Sequence, residues 1–424
     1  MSQPPSIGID FGTTNSVVSI LQPGRAPGRT MVRQHAPVLE VFRTVLCFWD
    51  ERGALQHAAG PRALEAYLAD PEDTRLIMSM KTYLAQRSFS STRVRSRVFT
   101  LEALVALFLR GLMAEHGGLE GASITAGRPV RFAGELADDA LGEARLREAF
   151  RQAGLGEIEV AYEPEAAGFR FTRALTAPAT VLIGDFGGGT SDFSVLRFDP
   201  AASRAVTPLA TTGVGVAGDS FDARIIDRVV APHLGKDTTY RVMGTDMPVP
   251  AEYYTGLSRW HRLSLMRTPR MLREIGEVMR TAAEPERLRG LIRLIEEELG
   301  YQLYQSVSTV KMALSQSERA SFRFEHPGLT IGQDILRTEF ESWIAPELAL
   351  LSAAVDRVLT AAALAPGAID RVFLTGGTAF VPAVRRLFET RFGADRVSGG
   401  GEFVSVAEGL ALIGRERQGR LPLC

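Results

Sequence analysis

Two short segments carry residues whose types and spacing suit phosphate chemistry. One is IGIDFGTTNSVVSI at 7–20, the other LIGDFGGGTSDFSVL at 182–196. Each reads as an apolar strand ending in an aspartate, a tight glycine–threonine turn, and an apolar return strand. Gly12, Thr13, Thr14 and Asn15 form the first turn; Gly187, Gly188, Gly189 and Thr190 form the second. Glycine lets backbone approach a ligand because no Cβ intervenes. Successive N–H groups in such a turn make an anion-binding concavity, and the threonine hydroxyls add donors.

The aspartates matter as much. Asp10 and Asp185 each end an apolar strand, where a buried carboxylate is costly without a partner. Mg²⁺ between them would supply one, since Mg²⁺ is held through one or two carboxylates, phosphate oxygens and waters. Asp192 lies two residues past Thr190. It should face a similar direction on the return strand, where it can orient water or a second cation. Neither segment has the GxxxxGK[ST] order of a P-loop, and neither continues as a GxGxxG turn into a helix.

The elements that must position these groups follow a repeated order. Residues 7–22 and 181–199 read as β-hairpins. Short strands are expected within 28–60, a short helix then an irregular stretch over 61–84, and an amphipathic helix over 101–116. A strand at 121–127, helix at 138–153 and strand at 158–162 lead to a helix opening at Glu163–Pro164, where proline is favourable. A helix is expected over 220–230, and a mostly helical outer region with exposed tyrosines over 233–290. One long helix is expected over 287–314, a strand at 320–324, and a helix over 333–365 interrupted at Pro346. A strand at 371–375 ends at Gly376–Gly377; helices follow from Val381 and over 402–416.

The 424 residues, 45% of them hydrophobic, suffice for two or more cores. A formal net charge of -1 gives no sign of nucleic acid or an anionic membrane as partner. The basic run from Arg87 to Arg97 reads as a solvated hairpin or loop. Cys47 and Cys424 lack metal-ligand or disulfide-framework spacing. No leader-like segment opens the chain and no apolar run reaches membrane-span length. A cytoplasmic protein is the expectation.

Taken together, the motifs resemble the ATPase domain of the Hsp70 chaperones, within the actin–hexokinase–Hsp70 superfamily. IDFGTTNSVV at 9–18 and GDFGGGTSDFSV at 184–195 resemble the family's two phosphate motifs. LTGGTAFVPAVRRLF at 374–388 resembles its adenosine motif, YEPEAAG at 162–168 its connecting segment, and GVAGDSFDARI at 215–225 the stretch after the second phosphate motif. The divergent outer parts resemble most the YegD-like group of stand-alone domains. The resemblance implies an α/β, actin-like ATPase fold: two duplicated ribonuclease H-like lobes around a nucleotide cleft. Lobe I would cover 1–180 with an outer insertion near 35–110. Lobe II would cover 181–400 with an outer, mostly helical subdomain near 230–325, and 401–424 would hold a returning helix and short tail.

The same resemblance implies ATP or ADP with Mg²⁺, and K⁺ as a monovalent companion. Asp10, Asp185 and Asp192 would surround the metal. Thr13, Thr14 and Thr190 would meet phosphate or the attacking water. Lys81, in LIMSMKTYL, matches the catalytic lysine, which counters charge on the γ-phosphoryl. Glu163 matches a water- or metal-positioning carboxylate. With Asp185 and Thr190 these form the expected catalytic set. Gly218, Lys311, Ser315, Gly376, Gly377 and Thr378 match nucleoside contacts; the four-residue spacing of Lys311 and Ser315 puts them on one helix face.

Three positions depart from the family. Ser308 replaces an acidic partner, Met312 a basic residue that stacks on adenine, and Phe380 an arginine. Methionine and phenylalanine can pack on a base but cannot replace the lost charge. The tail ERQGRLPLC is too short for a peptide-binding domain. The expectation is a monomeric, nucleotide-controlled ATPase or switch with a chaperone-like role and a protein partner or client. A metabolite kinase, an actin-like filament protein and a catalytically weak nucleotide-binding scaffold remain as alternatives.

Overall fold

The computed structural model describes residues 5–21, 42–70, 73–115, 121–133, 136–172, 177–199, 206–257, 263–399 and 405–417. The strands expected within 28–41, the start of the terminal helix at 402–404, and Cys424 with most of its tail lie outside these residues. The fold is mixed α/β, consistent with the actin-like ATPase class. Among the described residues no helix is long and apolar enough to cross a membrane.

Two five-stranded sheets share one pairing scheme. In the first, the hairpin Ser6–Phe11/Asn15–Leu21 is antiparallel. Ser123–Arg128 and then Glu159–Tyr162 add in parallel on one side, and the short Phe42–Arg43 adds antiparallel on the other. In the second, the hairpin Ala179–Phe186/Ser191–Phe198 is flanked in the same way. Arg371–Thr375 and Val397–Gly399 add in parallel, and Val206–Val214 antiparallel. Each sheet is therefore the same five-strand unit, with the glycine-rich turn closing its central hairpin.

Both sheets lie in one compact unit, residues 1–218 with 348–424; residues 219–347 form the other. In the first unit a core of Ile7, Ile9, Phe11, Phe108 and Phe150 fills the space between the first sheet and the helices Leu101–Ala114 and Asp139–Gln152. The Ser405–Arg417 helix packs almost backbone to backbone on this body. A Cβ on Gly8 would lie 2.0 Å from the Ala407 carbonyl oxygen, and one on Gly409 1.7 Å from that of Ala166. Glycine is required at both contacts because any side chain would separate the layers. Cys47 is buried and forms no disulfide among the described residues.

Several local expectations are corrected. Residues 74–78, expected to be irregular, form a strand paired with Val45–Glu51. Val206–Val214 is a strand that apolar patterning missed, because most of its positions are only partly buried. The expected 287–314 helix is two helices, Pro285–Glu296 and Gly300–Gln316. They are separated at Glu298, whose φ of 50° is left-handed and cannot continue a helix. Residues 333–336 belong to the strand Leu329–Leu336, and helix begins at Arg337. Pro346 sits in the first turn of the helix Ala345–Ala361 rather than within one. Tyr253 and Tyr254 are buried, not exposed, and the Tyr254 hydroxyl donates to the Leu234 carbonyl at 3.1 Å. The 233–290 stretch also contains a hairpin, Thr239–Val242/Thr245–Pro248. Residues 91–100 form the hairpin expected for the basic run.

Candidate functional site

The second hairpin sets Asp185 directly opposite Asp192, so the two carboxylates share a face of the sheet. The turn between them is closed by Gly187 N–H donating to the Thr190 carbonyl at 2.9 Å, and the Thr190 hydroxyl donates to Asp192 Oδ2 at 3.3 Å. Asp192 also accepts from the Val130 N–H at 3.1 Å. That bond ties the second hairpin to the loop after Ser123–Arg128. Across the sheet Asp192 faces Gly213, where a Cβ would come within 2.7 Å of Asp192 Oδ1. Gly213 therefore keeps the carboxylate in place by having no side chain.

In the first hairpin, Asp10 is the penultimate residue of its strand, opposite Val17, and Asn15 opens the return strand. A Cβ on Gly12 would lie 2.0 Å from the Asn15 carbonyl oxygen, so the turn needs glycine. The Thr14 carbonyl accepts from Thr44 N–H at 2.9 Å, and Ser16 Oγ meets Thr44 Oγ1 at 2.8 Å. The turn is thus braced from behind, leaving Thr13 and Thr14 partly exposed. Asn15 Oδ1 is buried without a hydrogen-bond partner.

Lys81 and Glu163 complete the cluster. Lys81 lies in the single 3₁₀ turn Met80–Tyr83, anchored in the core by Met80 and Leu84. Glu163 is the first residue of the helix Glu163–Thr172. Their side chains meet at 2.6 Å, 11% and 8% exposed. Gly127 makes room for this pair, since a Cβ there would press on Glu163 Cγ at 3.0 Å. A glycine inside a strand is a sign of such close approach, and it is the signal that could have flagged Gly127 beforehand.

The electrostatics are those of a crowded anionic site. Burial, then the Glu163 charge, pushes Asp10 up to about 7 against the partial relief of Lys81. Burial, then Glu163, pushes Asp192 up to about 8. Asp185 is held well above the usual carboxylate range by burial, then by Glu163, Asp10 and Asp192. Burial alone would lower Lys81, but Glu163, Asp10 and Asp185 more than offset it and raise its pKa. One ammonium serves four carboxylates, so the cluster has room for further positive charge. Among the described residues no three His, Cys, Asp or Glu side chains form a direct metal-ligand set. Mg²⁺, which keeps waters and needs only one or two carboxylates beside phosphate, fits these residues. The unpartnered Asn15 Oδ1 adds an acceptor.

The remaining expected residues fall as follows. Gly376, with φ of 87°, follows the strand Arg371–Thr375, and a Cβ there would lie 2.0 Å from the Phe186 carbonyl oxygen. It holds the 3₁₀ turn Gly377–Phe380 against the second hairpin, with Thr378 buried and Phe380 half exposed. Gly218 is buried at the start of the helix Gly218–Ile225. In the other unit, Lys311 pairs with buried Asp222 at 2.7 Å, and Ser315 Oγ donates to the Lys311 carbonyl at 3.1 Å. Met312 on the same helix is exposed.

The Hsp70 protein family model matches residues 293–421. The chain is 26% identical over 411 residues to the chaperone protein DnaK of Thermus thermophilus, covering 92% of this chain and 57% of that protein. It is 26% identical over 390 residues to DnaK of Thermotoga petrophila, covering 92% of this chain and 55% of that protein. The chain is therefore similar to the Hsp70 family, by a family model over its last third and by two DnaK proteins over most of its length. It spans a little over half the length of these Hsp70 relatives. In this chain the two phosphate-like turns, Lys81 and Glu163 all lie in one compact unit.

Proposed function

We propose that the chain binds ATP or ADP with Mg²⁺ and hydrolyses ATP, acting as a chaperone-type conformational switch. The buried Lys81–Glu163 pair inside the ring of Asp10, Asp185 and Asp192 carries this reading. The backbone of Gly12–Asn15 and Gly187–Thr190 would cradle the phosphates, as glycine-rich turns do. Asp10, Asp185 and Asp192 would hold Mg²⁺ and its waters, with K⁺ beside them. When bound, Mg²⁺ neutralises phosphate charge and polarises the phosphoryl group. Lys81 then presents its ammonium to charge developing on the transferred phosphoryl. Glu163 orients Lys81, and Thr13, Thr14 and Thr190 orient phosphate or water. Gly376, Gly377, Thr378, Gly218, Lys311 and Ser315 would serve the nucleoside.

The rest of the proposal is organisational. Two lobes meeting near residue 180 would open and close with nucleotide state, in a YegD-like cytoplasmic protein working on a protein partner or client. The test is ATP hydrolysis by the purified protein with and without Mg²⁺, beside Lys81→Ala and Asp185→Ala. Mg²⁺-dependent turnover that falls about 10²-fold or more in both variants is expected. No nucleotide binding by the intact protein would overturn the proposal. Phosphate transfer to an added metabolite would replace it with a kinase.

A further inference from the structure

Lys81 occupies a short turn, and a short turn does not hold a buried ammonium in place unaided. The grip comes from the helix Asp139–Gln152. Arg145 Nη1 donates to the carbonyl oxygens of Tyr83 at 3.3 Å, Leu84 at 3.2 Å and Gln86 at 3.1 Å. The Asp138 N–H donates to the fourth carbonyl of that run, Ala85, at 2.9 Å. Four consecutive carbonyls after Lys81 are therefore bonded to one helix and its N-cap. Arg145 is itself fixed by Glu102 of the helix Leu101–Ala114, with Nε 3.1 Å from Oε1 and both side chains mostly buried. The turn is also continuous with Lys81, because Leu84 N–H donates to the Lys81 carbonyl at 3.2 Å.

We propose that Arg145 is a positioning residue for Lys81, setting the ammonium against Glu163 and the phosphate site through the 83–86 carbonyls. The inference rests on the proposed ATPase reading for its kinetic consequence, but not for its geometry. Arginine suits the task because one planar guanidinium can serve several acceptors and an anchoring carboxylate at once. Lysine at 145 has all its donors on one nitrogen, so it cannot serve the carbonyls and Glu102 from two separate nitrogens as Nη1 and Nε do. Displacing a reacting group by about 1 Å can cost on the order of 10²-fold in rate.

Two measurements on Arg145→Ala and Arg145→Lys test this. The first is kcat and KM for ATP, measured also in the Lys81→Ala background. Arg145→Ala is expected to lower kcat by about 10-fold or more with KM little changed, and to have no further effect once Lys81 is gone. The second is the rate of acetic anhydride labelling of the Lys81 amine in the nucleotide-free folded protein, read by mass spectrometry. It should rise by about 10-fold in Arg145→Ala and less in Arg145→Lys, because the turn would open locally. If Arg145→Ala does not fold, Glu102→Gln loosens the same anchor and should show both effects more weakly. Unchanged labelling, or a kcat loss that persists in full without Lys81, would overturn the assignment. Absence of ATP turnover in the parent protein removes the ATPase reading alone, and the labelling rates then decide the role of Arg145.

Discussion

Lys81 and Glu163, 82 positions apart in the chain, meet at 2.6 Å in the interior. Lys81 also feels the Asp10 and Asp185 charges, whereas among the described residues Glu163 has its ion pair with Lys81 alone. Without Lys81, Glu163 would be a buried anion among further carboxylates with its cation gone, and Lys81 is acted upon by burial and by Glu163, Asp10 and Asp185 together. Breaking a buried pair leaves the surviving charge uncompensated, at a cost of about 3–5 kcal/mol.

That arithmetic predicts an asymmetry. Lys81→Met should destabilise the nucleotide-free protein by about 3–5 kcal/mol, because it strands Glu163 among Asp10 and Asp185. Glu163→Gln should cost less, since Asp10 and Asp185 still face the ammonium. Urea unfolding of both variants measures the difference, and equal losses would contradict the shared-cation arrangement.

The raised carboxylates predict a pH dependence of stability. A carboxyl group whose folded pKa is raised binds more protons folded than unfolded. Stability from such a group is therefore present at low pH and falls as pH rises from the ordinary value of 3.8 through the folded value, about 8 for Asp192. Asp192→Asn removes the titration while keeping an oxygen for the Val130 N–H. The variant's melting temperature should exceed the parent's by roughly 2–4 °C at pH 8.5 and match it at pH 4. Calorimetry without nucleotide tests the sign. Saturating Mg²⁺–ATP should narrow the gap at pH 8.5, because a bound cation offsets the carboxylate charge.

Gly376 predicts a backbone effect. Its φ of 87° and the 2.0 Å approach of a Cβ to the Phe186 carbonyl leave no relaxed geometry for alanine. Gly376→Ala should cost about 2 kcal/mol or more and weaken nucleotide binding together with stability. Gly367→Ala, where a Cβ meets open space, is the control and should leave both within error. Thermal shift with and without ATP reads both quantities.

Met312 predicts a gain. It is exposed on the Gly300–Gln316 helix, so a longer basic side chain meets no packing obstacle. If that helix serves adenine as proposed, Met312→Arg should tighten ATP binding by about 2- to 5-fold through cation–π stacking, worth roughly 0.5–1 kcal/mol. Titration calorimetry against ATP and GTP tests the change and its base preference.

Both glycine-rich turns were legible in the residues themselves. Glycine, aspartate and threonine at those spacings answer to local backbone demands, and strand alternation is a local pattern. The hairpins at residues 6–21 and 179–198 and the helix opening at Glu163 follow from such signals. The resemblance to Hsp70 motifs rested on the same segments and pointed to the family that the comparisons support.

Other features depended on the tertiary structure because they join residues far apart in the chain. Nothing near Lys81 in sequence names Glu163 as its partner, Gly127 as the gap beneath that partner, or Arg145 as the grip on its turn. Val206–Val214 was hidden because its pairing with Ser191–Phe198, not its own polarity, makes it a strand. The break at Glu298 was hidden because apolar periodicity continues on both sides of one left-handed residue. The sequence alone determined where phosphate-like turns form, since backbone chemistry is local. Only the folded chain decided which charges meet, since buried charges are partnered by whatever packing brings within reach.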